Sequence, residues 1–371
     1  MVFPFNFIYF DSKPTETEIK PVLSPADQSY HSAQADLAPT LSNDEDLLIF
    51  PCNELIDATG NFSPSSKIGE GELGSLYETD ISIEYPDTIL QVMVKRLNQK
   101  GHKEWVKAKD IHGVVEHPNL VTLVGYSDEV NESERLCLLV YERMANKSVE
   151  YHLSTRSQTP LPWTIRLKVA QDTACGLAHL HEKMIPFGVF KSSNIFLNNQ
   201  WKAKLSYFGL VYNEEPTNIS TMMAGNMGYV APECFQTGCH SPDCDTWGYG
   251  VFLYELITGR RPVEMNRPQN EQKLLEWVKP HVDSNRLEPI IDPRLEDNYS
   301  LDSVHKLCII ANRCLACNRK LRPKMSEVLE MINKLIGVPS KTSCPTPPLK
   351  SLVPVVYYHT QESFQVQCIH S

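Results

Sequence analysis

Two kinds of apolar pattern divide the middle of the chain. Residues 74–81, 88–97 and 136–144 are short apolar runs, partly alternating with polar residues, and this pattern predicts β-strands. Residues 103–115 interrupt them with apolar residues at helical spacing, which predicts one helix among the strands. The first third of the folded region is therefore expected to form a small β-rich lobe.

The rest of the folded region has the helical period. Apolar residues recur every three or four positions in residues 163–184, 244–259, 271–282 and 301–316. A larger α-helical lobe is therefore predicted to follow the β-rich lobe, which gives an α+β fold class.

Both ends of the chain lack such patterns. Residues 11–47 are rich in Ser, Thr, Pro, Asp and Glu, and their isolated apolar residues could not bury enough surface to offset the entropy of ordering. We expect residues 1–61 to form a largely disordered arm, with a short segment from about residue 46 that leads into the folded unit. Residues 62–337 are predicted to fold, and residues 338–371 to form a loose tail.

Charge and composition argue against several classes of protein. The formal net charge of −10 argues against binding of nucleic acid or anionic lipid. No apolar stretch reaches the ~20 residues of a membrane helix, and the start of the chain lacks the features of a signal peptide. We therefore expect a cytoplasmic protein without direct membrane insertion, whose eleven cysteines are free thiols.

A glycine-rich stretch points to phosphate binding. Gly69, Gly71 and Gly74 have the spacing G-x-G-x-x-G, which lets backbone amides approach phosphate oxygens. A dinucleotide-binding loop would open a helix, whereas a second predicted strand follows here, so the context favours a loop of the protein kinase type. About twenty residues later, Lys95 lies in a predicted strand, at a separation that suits a lysine facing the nucleotide.

Further stretches match one family in their order along the chain. They are FPCNELIDATGNFSPSSKIGEGELGSLYE, GHKEW, HPNLVTLVGYSDE, LLVYERM, LPWTIRLKVAQDTACGLAHLHE, KSSNIFL, GYVAPECFQTG, ELITGRRPVEMNRP and IIDPRLED. In these stretches the chain resembles the plant receptor-like cytoplasmic kinases, over about residues 46–337. The resemblance implies a bilobal protein kinase fold with an N-lobe at 62–144, a C-lobe at 145–337, and a hinge at Glu142 to Met144 after a gatekeeper-like Tyr141.

The resemblance also shows where the nucleotide machinery departs from the family. Lys95 matches the lysine that contacts the α and β phosphates, but its usual glutamate partner falls on Ala108. The ion pair that orients the lysine is therefore expected to be missing. The alternative is that Glu104, one helical turn earlier on the same face, reaches across as a substitute.

Two essential acidic groups are replaced in the catalytic parts. Alignment through Lys191 and Asn194, which are retained, puts Val189 where the family has its catalytic aspartate, after Gly188 in place of the usual arginine. Tyr207 stands where the family has the aspartate that binds magnesium. No functional catalytic residue and no metal site are therefore expected.

By contrast, residues that stabilise the large lobe match the family. Glu233 and Arg322 match a buried ion pair that fixes the end of the activation segment, and Asp245 matches the aspartate that anchors the catalytic loop. The sequence thus combines a preserved architecture with altered chemistry.

The size of two side chains bears on ATP binding. The family has alanine at Met93 and leucine at Phe196, so these larger groups, with Tyr207, are expected to fill the adenine pocket. No cofactor is then expected. The alternative is weak ATP binding without a proper magnesium site, through vestigial contacts from Gly69, Gly71, Gly74, Lys95, Glu142 and Met144.

The resemblance implies a signalling role through protein partners. The chain is expected to be an inactive serine/threonine kinase that acts as a scaffold, allosteric partner or decoy with active kinases or receptor complexes, in plant defence for example. Two alternatives remain: a kinase with residual phosphoryl transfer, and a nucleotide-sensing switch.

Two kinds of covalent modification are also considered. Ser220 and Thr221 match phosphorylation sites of the family, or are ordinary loop residues. Val2 excludes N-myristoylation at this start, so contact with the inner face of the plasma membrane would need partners.

Overall fold

The structure of the chain is a computed structural model. Residues 1–46 and 338–371 lie outside the described residues, as do the predicted site residues Val189, Tyr207, Ser220 and Thr221. No helix in the described part of the chain is long and apolar enough to cross a membrane. The structure describes residues 47–71, 73–83, 88–112, 115–130, 135–154, 157, 159–188, 190–206, 228–237 and 241–337.

The N-lobe is built on one twisted sheet. Its strands in the described residues lie in the order β1-β5-β6-β4-β3-β2, antiparallel except for the β1–β5 pair. The predicted strands are confirmed as β3, β4 and β6. The bounds are β1 Leu48–Ile49, β2 Lys67–Gly71, β3 Gly74–Ile83, β4 Thr88–Leu97, β5 Leu123–Val130 and β6 Arg135–Glu142.

Two helices cover the faces of this sheet. Helix α1, Cys52–Ala58, buries Leu55 in an apolar cluster with β-strand residues such as Val92 and Val140. Helix α2, His102–Asp110, buries Trp105 against the other face. The predicted helix was longer, to residue 115, because Val115 beyond the helix packs against the C-lobe core and continues the apolar pattern.

The C-lobe is mainly helical, as predicted. A short hairpin of β7 and β8 follows the loop after α4, and the longest predicted helices are confirmed as α4, α6, α7 and α8. The bounds are α3 Val149–Leu153, α4 Trp163–Glu182, β7 Ile195–Leu197, β8 Ala203–Leu205, α5 Pro232–Thr237, α6 Pro242–Thr258, α7 Leu274–Asp283, α8 Leu301–Cys314 and α9 Met325–Ile336.

Helix α6 forms the centre of the C-lobe. It is apolar on all sides, and every residue from Cys244 to Thr258 is buried, as expected for a helix surrounded by other elements. Gly259 ends it with φ +65°, a conformation in which a Cβ atom would lie 2.3 Å from Oδ2 of Asp292. That carboxylate in turn accepts a hydrogen bond of 2.6 Å from the buried Arg166. The end of α6 is therefore fixed against a buried ion pair.

The expectation that all cysteines are free thiols is wrong at the α5–α6 junction. Cys234 in α5 and Cys244 in α6 form a disulfide, with Cα atoms 6.8 Å apart. The expectation came from the redox state of the predicted compartment, which carries no information about which sulfurs the fold brings together. Cys308 and Cys314 in α8 are buried free thiols.

Candidate active site

The glycine-rich loop is the turn of a β-hairpin, as its sequence context predicted. Gly71 at the end of β2 lies opposite Gly74 at the start of β3. Gly74 has φ +155°, and a Cβ atom there would lie 2.1 Å from the carbonyl oxygen of Arg96. Only glycine fits this close approach of two strands, so the third glycine of the motif is required by the backbone.

Lys95 has an ion-pair partner, which corrects the expectation that this pair is missing. Its ammonium group bonds to the Glu104 carboxylate of α2, and both side chains are buried. Ala108, at the family position, packs instead as a partly buried residue against the N-lobe apolar cluster. Because Glu104 and Ala108 are one turn apart on the same face of α2, the longer glutamate side chain reaches the lysine from the earlier turn.

Burial affects the ionisation of Glu104 in this pair. Desolvation raises the pKa of Glu104, and the neighbouring Lys95 charge and hydrogen bond only partly offset this rise. The Oε2 atom of Glu104 is buried and has no hydrogen-bond partner among the described residues. In the Lys95–Glu104 pair, the carboxylate therefore has fewer hydrogen bonds than one whose two oxygens are both bonded.

The predicted pocket-filling residues lie in one apolar cluster. Met93 is 1% exposed, and Phe196 from β7 of the C-lobe packs against the same N-lobe cluster. Leu76 from β3 and Met144 from the hinge belong to this cluster too. A continuous apolar column thus joins the two lobes at the level of the hinge.

The hinge residue Glu142 is fixed by charged and backbone contacts. Lys204 of β8 donates to both of its carboxylate oxygens, at 2.5 and 2.7 Å, and the backbone N–H of Thr122 donates to one of them at 2.7 Å. The Glu142 side chain therefore links the hinge to the C-lobe hairpin and to the residue that precedes β5.

The catalytic loop is anchored as the resemblance implied. Asp245 of α6 accepts hydrogen bonds from the backbone N–H groups of Phe187 and Gly188, at 2.6 and 2.8 Å, and contacts Nε2 of His181 at 2.9 Å. Gly188 has φ +84°, which suits glycine. Burial lowers the pKa of Lys191, farther along the loop, and the Glu150 carboxylate opposes that shift.

A hydrogen-bonded triad behind this loop escaped the sequence analysis. The hydroxyls of Ser192 and Tyr229 bond to the Glu255 carboxyl group at 2.9 and 2.6 Å, and to each other at 3.0 Å. Burial raises the pKa of Glu255 to about 8, so its carboxyl group is neutral at pH 7. A glutamate within the otherwise apolar run of α6 was the signal that could have revealed it.

The remaining predicted structural pair is present in the fold. Arg322 donates to both carboxylate oxygens of Glu233, at 2.5 and 2.9 Å, and also to the carbonyl oxygens of Asp243 and Ala316. These bonds tie α5, which ends the activation segment, to α6 and to the chain that precedes α9. The large-lobe framework around the site is therefore intact in the described residues.

Comparison with known proteins agrees with this architecture. The profile of the family described as "Protein kinase domain" matches residues 62–332. The chain is 51% identical over 318 residues to "Serine/threonine-protein kinase PCRK1" of Arabidopsis thaliana, covering 83% of this chain and 76% of that one. It is 50% identical over 310 residues to "Serine/threonine-protein kinase PCRK2" of the same plant, covering 81% and 74%. Identity to the Arabidopsis "Serine/threonine-protein kinase PBL36" is 44% over 304 residues, covering 78% and 63%.

The names of these relatives describe plant serine/threonine-protein kinases, in agreement with the kind of protein that the sequence motifs suggested. The matched residues include both lobes, the glycine loop, Lys95 and the anchored catalytic loop. The chain therefore belongs to the protein kinase domain family.

Proposed function

We propose that this chain is an inactive protein kinase that acts through protein contacts, as a scaffold, an allosteric partner or a decoy. Its partners would be active kinases or receptor complexes, for example in plant defence. It would act in the cytoplasm, and at the inner face of the plasma membrane through those partners. This part of the proposal rests on the family resemblance.

The catalytic loop carries the proposal. Asp245 holds the backbone at Phe187 and Gly188, so the loop enters the site in a defined position, and the next residue in the sequence is Val189. A valine side chain has no oxygen to accept the proton of a substrate hydroxyl. Tyr207 adds a second loss, because a phenol is neutral at cellular pH and is a poor magnesium ligand.

The size of these losses decides between weak and negligible turnover. A positioned base contributes about 10²–10⁴-fold in rate, and the charge stabilisation by a metal is worth several kcal/mol. Protein kinases turn over at about 1–100 per second, so losing both contributions leaves a rate too low for signalling even if the two effects overlap.

The filled apolar column supports a second element of the proposal, which is that ATP binds weakly or not at all. Met93 and Phe196 lie in the same cluster as Leu76 and Met144. Their side chains would compete with an adenine ring for the space between the lobes. ATP at 100 times its dissociation constant would add about 2.7 kcal/mol of stability, so the proposal predicts no thermal shift with ATP, with or without magnesium.

A second candidate function is residual phosphoryl transfer. The ion pair between Lys95 and Glu104 favours it, because it restores one part of the nucleotide machinery that the sequence alone indicated was lost. The relatives, whose printed names describe serine/threonine-protein kinases, favour it as well.

A phosphotransfer assay separates the two candidates. The pure chain, its Lys95→Met variant and a Val189→Asp, Tyr207→Asp double variant are each incubated with labelled ATP, magnesium and a general protein substrate. The proposal predicts no label transfer by the unaltered chain. Transfer by the unaltered chain that Lys95→Met abolishes would establish the residual kinase instead.

A further inference from the structure

The disulfide between Cys234 and Cys244 lies next to the ion pair that fixes the end of the activation segment. The sulfur of Cys244 lies 3.7 Å from Oε1 of Glu233, and the Glu233 carboxylate is bonded to Arg322. The two cysteine side chains are 5% and 7% exposed. Two different links, one covalent and one ionic, therefore attach the same short helix α5 to the C-lobe.

Helix α5 depends on these links. It has six residues, Pro232–Thr237, and an isolated helix of that length is unstable in water. When the cysteines are oxidised, the disulfide and the ion pair hold it together. When they are reduced, the ionic link from Arg322 has to hold it without the covalent one.

The position of Cys244 favours thiol chemistry. It is the third residue of the 17-residue helix α6, and the positive end of a helix dipole stabilises negative charge on a nearby sulfur. The Glu233 carboxylate next to it would oppose this, but its two oxygens already bond to Arg322. Cys308 and Cys314 are free buried thiols whose pKa burial raises to about 12, so they serve as unreactive internal references at neutral pH.

We propose that Cys234 and Cys244 form a reversible oxidation site whose co-reactant is a small-molecule disulfide of the glutathione type, and whose state sets how firmly α5 is attached. Disulfides in a reducing compartment are usually transient, which favours a reversible site over a permanent cross-link. The proposal is independent of whether the chain transfers phosphate.

The exchange balances in two steps. The Cys244 thiolate attacks one sulfur of the small disulfide, forming a mixed disulfide and releasing one small thiolate. The Cys234 thiolate then attacks the Cys244 sulfur, closing the protein disulfide and releasing the second small thiolate. Two electrons pass from the protein to the small molecule, and the two protons of the cysteine thiols go to the released thiolates or to solvent.

A metal site is the competing use of the same atoms. Glu233, Cys234 and Cys244 bring one ligand atom each within 4.8 Å of one another. The bonding of both Glu233 oxygens to Arg322 and the direct bond between the sulfurs favour oxidation over metal binding. Zinc held by the reduced protein through these atoms would indicate a metal site instead.

The first test is a redox titration of the full chain. The protein is equilibrated without oxygen in buffers of varied glutathione to glutathione disulfide ratio, quenched in acid, alkylated under denaturing conditions and analysed by mass spectrometry. Alkylation of Cys234 and Cys244 should disappear together at one midpoint and return on reduction, while Cys308 and Cys314 stay fully alkylated. Continued alkylation of the pair at every ratio, or pairing of either cysteine with a different one, would overturn the proposal.

The second test measures the attachment of α5. Oxidation of the unaltered chain should raise its melting temperature by about 5 °C, and Cys244→Ser should abolish this difference while the exposed Cys317→Ser keeps it. Glu233→Gln should lower the melting temperature more in the reduced than in the oxidised protein. Equal lowering in both states, or a reduced protein that holds one zinc ion through these cysteines, would rule the proposal out.

Discussion

Met93 is the residue on which the proposed loss of ATP binding depends most directly. It lies in β4 directly opposite Tyr141 of β6 and is almost completely buried. It belongs to the apolar cluster against which Phe196 packs. A flexible methionine fills irregular space well, which supports the proposal that these side chains occupy the adenine site. Under the proposed function, these side chains would supply the packing between the lobes that a nucleotide supplies in an active kinase.

Met93→Ala should therefore open space for an adenine ring. Truncating a buried methionine costs about 2–5 kcal/mol of stability, so the variant should melt at a lower temperature. Millimolar ATP should then raise its melting temperature by several degrees while leaving the unaltered chain unchanged. The matched control is Met265→Ala, at a methionine that is 74% exposed. An ATP response of the unaltered chain equal to that of Met93→Ala would contradict the filled pocket.

Glu255 gives the second residue-scale prediction, a dependence of stability on pH. Burial raises its pKa to about 8 in the folded protein, whereas an unfolded glutamate ionises near pH ~4.3. Between these values folding takes up a proton, so the stability contributed by this group falls as pH rises and is lost above pH ~8.

Urea unfolding at pH 5 and pH 8 measures this effect. Relative to Glu255→Gln, which cannot titrate, the unaltered chain should lose stability on the order of 4 kcal/mol across that window. Glu276→Gln, at an exposed glutamate of α7, should track the unaltered chain. Parallel pH profiles for Glu255→Gln and the unaltered chain would show that Glu255 ionises normally.

At the scale of elements, periodicity predicted the long helices and the central strands because their apolar residues recur at the spacing of a helix or a strand. Periodicity missed α1 and β1. Their apolar residues stand among polar ones, and these elements are stabilised by contacts with the sheet that the local sequence does not show. The family resemblance led to the expectation that Lys95 lacks a partner, whereas the alternative partner Glu104 is confirmed, because the choice depends on where α2 lies relative to β4. The triad at Glu255 was missed because its partner Tyr229 lies 26 residues earlier in the chain.

The end of α6 provides the prediction at this scale. Gly259→Ala should destabilise the protein by at least ~3 kcal/mol, because the new Cβ atom adds a collision with the buried Asp292 to an unfavourable φ. Gly337→Ala at the end of α9 is the matched control. Its φ is +76°, but the added Cβ atom would meet no non-neighbouring atom within 4 Å. It should cost about 1 kcal/mol. Equal losses in chemical denaturation would show that the contact with Asp292 is unimportant.

At the scale of the whole molecule, the two lobes have separate apolar cores that meet at the β7–β8 hairpin. Phe196 belongs to the C-lobe hairpin but packs into the N-lobe cluster, and Lys204 of the same hairpin bonds to Glu142 at the hinge. Contacts of this kind make the unfolding of one lobe dependent on the other. A protein that works as a binding surface would keep a fixed arrangement of its lobes without a nucleotide between them.

Phe196→Ala should weaken that coupling. Removing the ring weakens the packing between the lobes and should cost less than the ~3–5 kcal/mol of a fully buried phenylalanine, since Phe196 is partly buried. Differential scanning calorimetry should show one main transition for the unaltered chain, and an additional N-lobe transition at lower temperature for the variant. Trp201→Ala, at a half-exposed aromatic residue in the turn of the same hairpin, should keep a single transition. A single shifted transition for Phe196→Ala would mean that other contacts couple the lobes.

The two residues of β1 affect how the edge of the sheet can associate with other molecules at high protein concentration. Leu48 and Ile49 pair with Gly125 and Tyr126, and Gly125 permits this because any side chain there would strike the Leu48 carbonyl. Without them, β5 would offer unpaired backbone groups as a template on which a second molecule could add a strand. This short strand is therefore expected to disfavour strand addition by a second molecule, and its loss to favour association at this edge of the sheet.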